Sequence, residues 1–154
     1  MQKSKLPLLT GLAITLLQGC VIQDGDHWAA CDRGHRLQVV DLDMSPDPVA
    51  DGQRINQFRV SLRSDGSGEC ATHLLIRETQ GNDLIAAERV YRLRPGMNQI
   101  RVEPDGRYRF SRQEHCFNVI ANIENTPRPV DAARRFCARE VGGRRWSLNL
   151  DRGD

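Results

Sequence analysis

Gln57-Phe58-Arg59-Val60-Ser61-Leu62-Arg63 alternates without a fault. Phe58, Val60 and Leu62 fall on one side of an extended chain, and Gln57, Arg59, Ser61 and Arg63 on the other. A period of two sustained over seven residues is that of a strand buried on one face. A helix would scatter the same side chains around its axis. Ser64-Asp65-Gly66-Ser67-Gly68 then turns the chain, because Gly, Ser and Asp accept the backbone angles that a turn requires. Cys70–Glu78 alternates again, with Cys70, Thr72, Leu74 and Ile76 on one face.

The same rhythm continues in both directions. Upstream, Leu37–Met44 is apolar-rich and ends at Ser45-Pro46-Asp47-Pro48, where two prolines forbid a helix. Downstream, Gln80-Gly81-Asn82-Asp83 turns the chain into Leu84–Leu93, and Pro95-Gly96 breaks that run. Asn98–Val102, Tyr108–Phe110 and Cys116–Ile123 follow, the last with Phe117, Val119, Ala121 and Ile123 on one face. Trp146–Leu150 alternates and makes a closing strand. Val130–Val141 has two readings. Asp131 can cap a short helix with Ala133, Phe136, Cys137 and Val141 on one side, stopped by Gly142-Gly143, or the segment is an irregular strand. The expectation is an all-β chain: an Ig-like antiparallel β-sandwich of about seven strands over residues 37–150, with or without a helix near 131–141.

The chain begins differently. Lys3 and Lys5 precede the apolar run Leu6–Leu17, which ends in Leu17-Gln18-Gly19-Cys20. A bilayer span needs about 20 apolar residues, so this shorter run reads as the central part of a secretory signal. Leu17-Gln18-Gly19-Cys20 resembles a bacterial lipobox, although Gln18 stands where a small or β-branched residue is usual. The resemblance implies removal of residues 1–19, acylation of Cys20 and a tether over residues 20–36. An ordinary signal peptide with an incidental cysteine is the competing reading. Two or three acyl chains would hold the product in the membrane, since each buried CH₂ contributes about 0.8 kcal/mol. Val21, where an aspartate would signal inner-membrane retention, favours the outer membrane, on either its periplasmic or its outer face.

Both lysines lie in this leader. Residues 20–154 carry 20 Arg against 20 Asp and Glu, and that balance gives no drive toward nucleic acid. One domain with its own core fits this length. Apart from Cys20, four cysteines remain: Cys31, Cys70, Cys116 and Cys137. With no C-x-x-C spacing, two disulfides in an exported chain are favoured over a metal centre, and three connectivities are open. In a sandwich, the approach to the first strand and the start of the third lie at one end. Cys31–Cys70 and Cys116–Cys137 are therefore the preferred pairs, the second fastening Asn125–Gly143 to the last long strand.

Ser45-Pro46-Asp47-Pro48, Asp51-Gly52-Gln53, Val60-Ser61-Leu62-Arg63-Ser64-Asp65-Gly66 and Leu93-Arg94-Pro95-Gly96 together resemble the CARDB type of bacterial Ig-like domain. The likeness covers roughly residues 37–125 and rests on turn chemistry. The chain departs from the pattern at Ser64-Asp65, where an Asn is usual, in its cysteines, and in Asn125–Gly143. The resemblance implies a sandwich with extracellular, non-catalytic roles and supplies no catalytic residues.

Other constellations are weaker. His27, Cys31 and His35 share a spacing of four, but Gly34 and Asp24-Gly25-Asp26 oppose the helix that would make them ligands. Asp41, Asp43, Ser45, Asp47 and Asp51 set oxygens at alternate positions, yet Pro46 and Gly52 occupy the places where a calcium loop needs Gly and a bidentate acid. Gly66-Ser67-Gly68 lies in a turn and is no nucleophile elbow. His73 and His115 lack a persuasive nucleophile. Trp28 and Trp146 could stack on a sugar but more often fill a core, and Arg152-Gly153-Asp154 is expected by chance in so Arg- and Asp-rich a chain.

The expected function is thus a lipid-anchored binding, adhesion or scaffolding module of the cell envelope, without cofactor, metal or catalysis, and with a protein partner. The alternatives are an inhibitor or immunity lipoprotein with Asn125–Gly143 as a wedge, or an accessory subunit of a secretion or pilus machine. Non-reducing peptide mapping should recover Cys31 joined to Cys70; Cys31 joined to Cys137 would overturn the pairing.

Overall fold

The computed structural model describes residues 36–65, 70–123 and 132–149. The leader, Cys20, Cys31, the tether as far as His35, Trp28, His27, Gly66-Ser67-Gly68 and Arg152-Gly153-Asp154 lie outside the described residues, and Arg36, counted with the tether, opens the first strand. Ten strands are described: β1 (Arg36–Ser45), β2 (Val49–Ala50), β3 (Gln57–Asp65), β4 (Cys70–Glu78), β5 (Leu84–Leu93), β6 (Gly96–Val102), β7 (Cys116–Ile123), β8 (Ala132–Cys137), β9 (Arg139–Gly142) and β10 (Arg145–Ser147).

Seven of them form the sandwich. One layer has the order β1-β3-β6 and the other β5-β4-β7-β8, with every neighbour antiparallel. The chain crosses between layers after β3, after β5 and after β6. The fold is therefore an Ig-like antiparallel sandwich of three strands on four. Alternation decides which side chains enter it. Phe58, Val60 and Leu62 of β3, Thr72, Leu74 and Ile76 of β4, and Phe117, Val119 and Ala121 of β7 are fully buried. Phe58 meets Phe117 edge-to-face across the layers, ring centres 5.3 Å apart and planes at 66°, the geometry that the ring quadrupoles favour.

Strand β1 explains why its sequence is apolar without alternating cleanly. Leu37 and Val39 are buried, then Leu42 and Met44, so the inward phase slips by one residue. The pairing with β3 slips at the same place, from Val39↔Leu62 to Asp41↔Ser61. That is a β-bulge, with Val40 as the extra residue. Arg134 of β8 reaches across from the opposite layer and donates to the Val40 carbonyl at 2.6 Å and, less closely, to that of Val39 at 3.5 Å. Its guanidinium also lies 5.0 Å from the centre of the Phe136 ring. The edges β1 and β8 are thus fastened together by one side chain.

Three short strands make a third sheet in the order β2-β10-β9. Trp146 of β10 pairs with Val49 of β2 and packs against Phe110, ring centres 5.7 Å apart. Two prolines shape the entry to β2, with cis peptide bonds at Ser45-Pro46 and Asp47-Pro48. At the β9–β10 turn, Gly142, Gly143 and Arg144 all take positive φ (100°, 60° and 59°), which the two glycines adopt without a Cβ clash.

The structure decides one open reading and corrects two others. Of the two readings for Val130–Val141, the described residues take the strand: Ala132–Cys137 pairs with β7 from Cys116↔Cys137 to Ala121↔Ala132, and Arg139–Gly142 pairs with β10. A helix there would leave the outer edge of β7 without hydrogen-bond partners. Tyr108–Phe110 is not a strand but a loop with one bridge, Arg54↔Arg109. Phe110 is buried nonetheless, because its N–H donates to Gln53 O (2.9 Å) and its carbonyl accepts from Gly52 N (2.8 Å). The closing strand is shorter than Trp146–Leu150, spanning Arg145–Ser147.

Truncating Phe117 to Ala removes half of the aromatic contact and opens a cavity between the two layers. The expected loss is about 3–5 kcal/mol of stability, read as a lowered urea midpoint with an unchanged m-value.

Candidate binding surfaces

Cys116, first residue of β7, and Cys137, last of β8, form a disulfide with Cα atoms 4.0 Å apart. They are direct cross-strand partners, at the close kind of antiparallel pair where a cystine fits. Arg135 Nη2 approaches Cys116 Sγ at 3.4 Å. Ala138, the next residue, is buried and donates its N–H to His115 O at 2.9 Å. The β9–β10 hairpin therefore leaves the sandwich from a fixed base. Every residue of β9 is exposed, Val141 among them. Cys70 opens β4, at the end where Arg36 of β1 pairs with Asp65 of β3.

The aspartates of the calcium-like run serve the fold. Asp43 Oδ1 accepts from Met44 N (2.9 Å) and Asn149 Nδ2 (2.7 Å), and its Oδ2 lies 3.7 Å from Arg59. Asn149 Nδ2 also donates to Asp47 Oδ2 at 2.8 Å, tying the segment after β10 to the proline loop. Asp51 accepts from Arg112 N at 3.2 Å and lies 3.7 Å from its guanidinium. Trp146 belongs to the core and is not available to stack on a sugar. His73 is exposed on β4, and His115 Nδ1 lies 2.9 Å from Arg112 O.

A cluster that sequence reading missed sits at one end of the sandwich. Glu78 closes β4, Asp83 follows the β4–β5 turn, and Tyr108 and Glu114 come from the loop between β6 and β7. Burial raises the pKa of Glu78, the Tyr108 hydroxyl opposes the shift, and the carboxylates of Glu114 and Asp83 add to it. Burial likewise holds the Tyr108 phenol well above its ordinary range, reinforced by Glu78 and Glu114. Tyr108 Oη faces Glu78 but is buried without a hydrogen bond of good geometry, as is Thr79 Oγ1 beside it in sequence. Backbone bonds hold the cluster: Glu78 N to Asp83 O (3.0 Å), Thr79 N to Cys116 O (3.1 Å), and Gln80 N to Glu114 Oε2 (3.1 Å). Thirty residues separate Glu78 from Tyr108, so no local pattern announces the cluster.

The second unannounced surface lies between the layers, along the side opposite Arg134. Here β5 and β6 are the edge strands of their sheets, and a shallow slot of about 560 Å³ runs between them. Val90 and Ile100, half-buried against the core, form its floor. Arg89, Arg92 and Arg101 line its walls with Glu88, and Met97, 59% exposed, stands at one end. The slot closes where Pro104 bridges Ala86 and Asp105 N donates to Ile85 O at 2.9 Å.

No protein-family model matches the sequence, and no curated protein matches it. Among solved structures, the chain is similar to part of a Lactobacillus rhamnosus β-glucuronidase, at 9% identity and a TM-score of 0.33, covering 69% of this chain and 17% of that one. It is also similar to part of a Ruminococcus gnavus β-glucuronidase solved with uronic isofagomine, at 15% identity and a TM-score of 0.32, covering 67% and 16%. The chain spans about one sixth of the length of those enzymes, and superposition at this level carries no inference about its activity.

Glu78 yields a pH prediction. Its pKa is raised in the folded state, so the native protein binds the proton more readily than the unfolded chain does. Its contribution is therefore most favourable below the ordinary carboxyl value of 4.5 and is lost as pH rises through the folded pKa. Glu78→Gln should remove that segment of the pH dependence and raise the melting temperature at neutral pH relative to the wild type. Thermal melts across the acid-to-neutral range read it directly.

Proposed function

We propose that this chain is a lipid-anchored, non-catalytic binding module of a bacterial cell envelope, held at the outer membrane through acyl groups on Cys20. The observation that carries this reading is the Cys116–Cys137 disulfide within the sandwich. Cytosolic thiols are kept reduced, whereas stable cystines form in the periplasm and outside the cell. The apolar leader and the Leu17-Gln18-Gly19-Cys20 resemblance to a lipobox supply an export route and an anchor that agree with it. The three-on-four sandwich fits the CARDB resemblance, and such frames present their partners with loops and strand edges. A protein partner in the envelope is the preferred ligand, and neither nucleic acid nor a cofactor is needed.

One observation favours the inhibitor or immunity reading as a second choice. The β9–β10 hairpin has an exposed strand, a cystine two residues before it and a buried Trp146 behind it. It is a rigid projection of the kind that enters a cleft. Shortening the turn at Gly142-Gly143 would abolish capture of a hydrolase from envelope extract on that reading, and leave capture unchanged on the first.

Cys20→Ala tests the anchor. The wild type should sediment with membranes and give an N-terminal peptide carrying acyl mass on Cys20, and the variant should lose both properties. Soluble wild-type protein with its leader trimmed elsewhere overturns the reading.

A further inference from the structure

We propose that the Cys116–Cys137 cystine is a thiol-exchange site with a fixed polarity: the thiolate of a dithiol reductant attacks Cys137 Sγ, and Cys116 leaves as a thiolate beside Arg135. The inference goes beyond the binding-module reading and does not depend on acylation of Cys20.

Access decides which sulfur is attacked. An incoming thiolate approaches along the line of the S–S bond, from behind the sulfur that it joins. Among the described residues β8 is the outer strand of its sheet, in the order β5-β4-β7-β8, so no strand of that sheet lies beyond Cys137. Cys116 is flanked instead by the end of β4, where Thr79 N donates to Cys116 O at 3.1 Å and Gln80 N to Glu114 Oε2 at 3.1 Å. Burial follows the same asymmetry, since Cys137 is exposed and Cys116 is only 8% exposed. Phe117 and Phe136 turn toward the core, so alternation sets both cysteines on the outer face of the sheet, away from the β1-β3-β6 layer.

Charge decides which sulfur leaves. Arg135 Nη2 lies 3.4 Å from Cys116 Sγ. A guanidinium there favours the thiolate over the thiol, and the sulfur that is more stable as a thiolate departs faster. In the first step the reductant's thiolate bonds to Cys137 Sγ while the Cys116–Cys137 bond breaks, its electron pair going to Cys116. In the second, the reductant's other thiol, once ionised, attacks its own sulfur in the mixed disulfide and releases Cys137 as a thiolate. The reductant ends as a disulfide, and its two protons pass by way of solvent to the two cysteines. The exchange needs no unfolding. The ladder from Phe117↔Phe136 to Ala121↔Ala132 and the bond from Ala138 N to His115 O remain. Only the covalent tie at the base of the β9–β10 hairpin is lost.

The test uses the disulfide-bonded protein in native buffer. Incubation with glutathione, a monothiol that can halt at the first step, is quenched with N-ethylmaleimide, and the tryptic peptides are mapped by mass. Glutathione on Cys137 with maleimide on Cys116 should exceed the reverse arrangement by at least about tenfold. Dithiothreitol should reduce this cystine while the far-UV circular dichroism of the sandwich stays unchanged. Arg135→Gln, at an exposed position, should slow that reduction by about three- to tenfold, and Arg135→Lys should restore most of the rate. Adducts spread equally over both cysteines, or placed mainly on Cys116, overturn the proposal. So does reduction only in urea at the rate of global unfolding, or a rate that Arg135→Gln leaves unmoved. The adduct map is read on the wild type, so it decides the direction of attack whether or not either variant folds.

Discussion

Phe58 meets Phe117 between the two layers, toward the end of the sandwich where β4 finishes, and most of the architecture follows from keeping those two rings dry. Each is the second residue of an alternating strand, so burying one commits the whole inward face of β3 or β7. The strands beside them must then continue the cover. β4 does so with Leu74 and Ile76, β6 with Val102, and β1 with Leu42 and Met44. The bulge at Val40 belongs to the same constraint. It lets β1 change phase and keep apolar residues inward along its length, and the carbonyl it exposes is met by Arg134.

The two long sides of the sandwich are managed in opposite ways. On one, Arg134 crosses from β8 to β1, and the cystine fixes β8 to β7. On the other, Pro104, just beyond β6, bridges to Ala86 of β5, and a slot lined in part by arginines lies between the two strands. The carboxylates divide likewise. Asp43, Asp47 and Asp51 are engaged in holding loops, whereas Glu78 and Glu114 crowd together at the end of β4 at some cost to the folded state.

Strands with strict alternation were legible in the sequence because their signal is local. Phe58 to Leu62 and Phe117 to Ile123 announce both their conformation and their buried face. The even cysteine count likewise pointed to a cystine, and Cys116 and Cys137 are cross-strand partners. Residues 131–141 were ambiguous because Ala133, Phe136 and Cys137 fit a helical stripe as well as a strand edge; the vacant side of β7 decided between them. Tyr108–Phe110 misled for a related reason. Phe110 is buried by the loop's path and not by a ladder. The slot and the Glu78 cluster had no local signal at all, since each joins residues brought together by crossings between layers.

The small third sheet has a consequence for when the molecule can be finished. Arg145 donates to Pro48 O across a sequence separation of 97, beside the pairing of Trp146 with Val49. Contacts this remote in the chain form late, since closing so long a loop precedes any reward from it. Until residues 139–147 are delivered, Phe110 lacks its indole cover and the proline loop lacks its clasp. A polypeptide that emerges N-terminal end first would thus stay incomplete, its first strands waiting on residues 139–147 for their clasp.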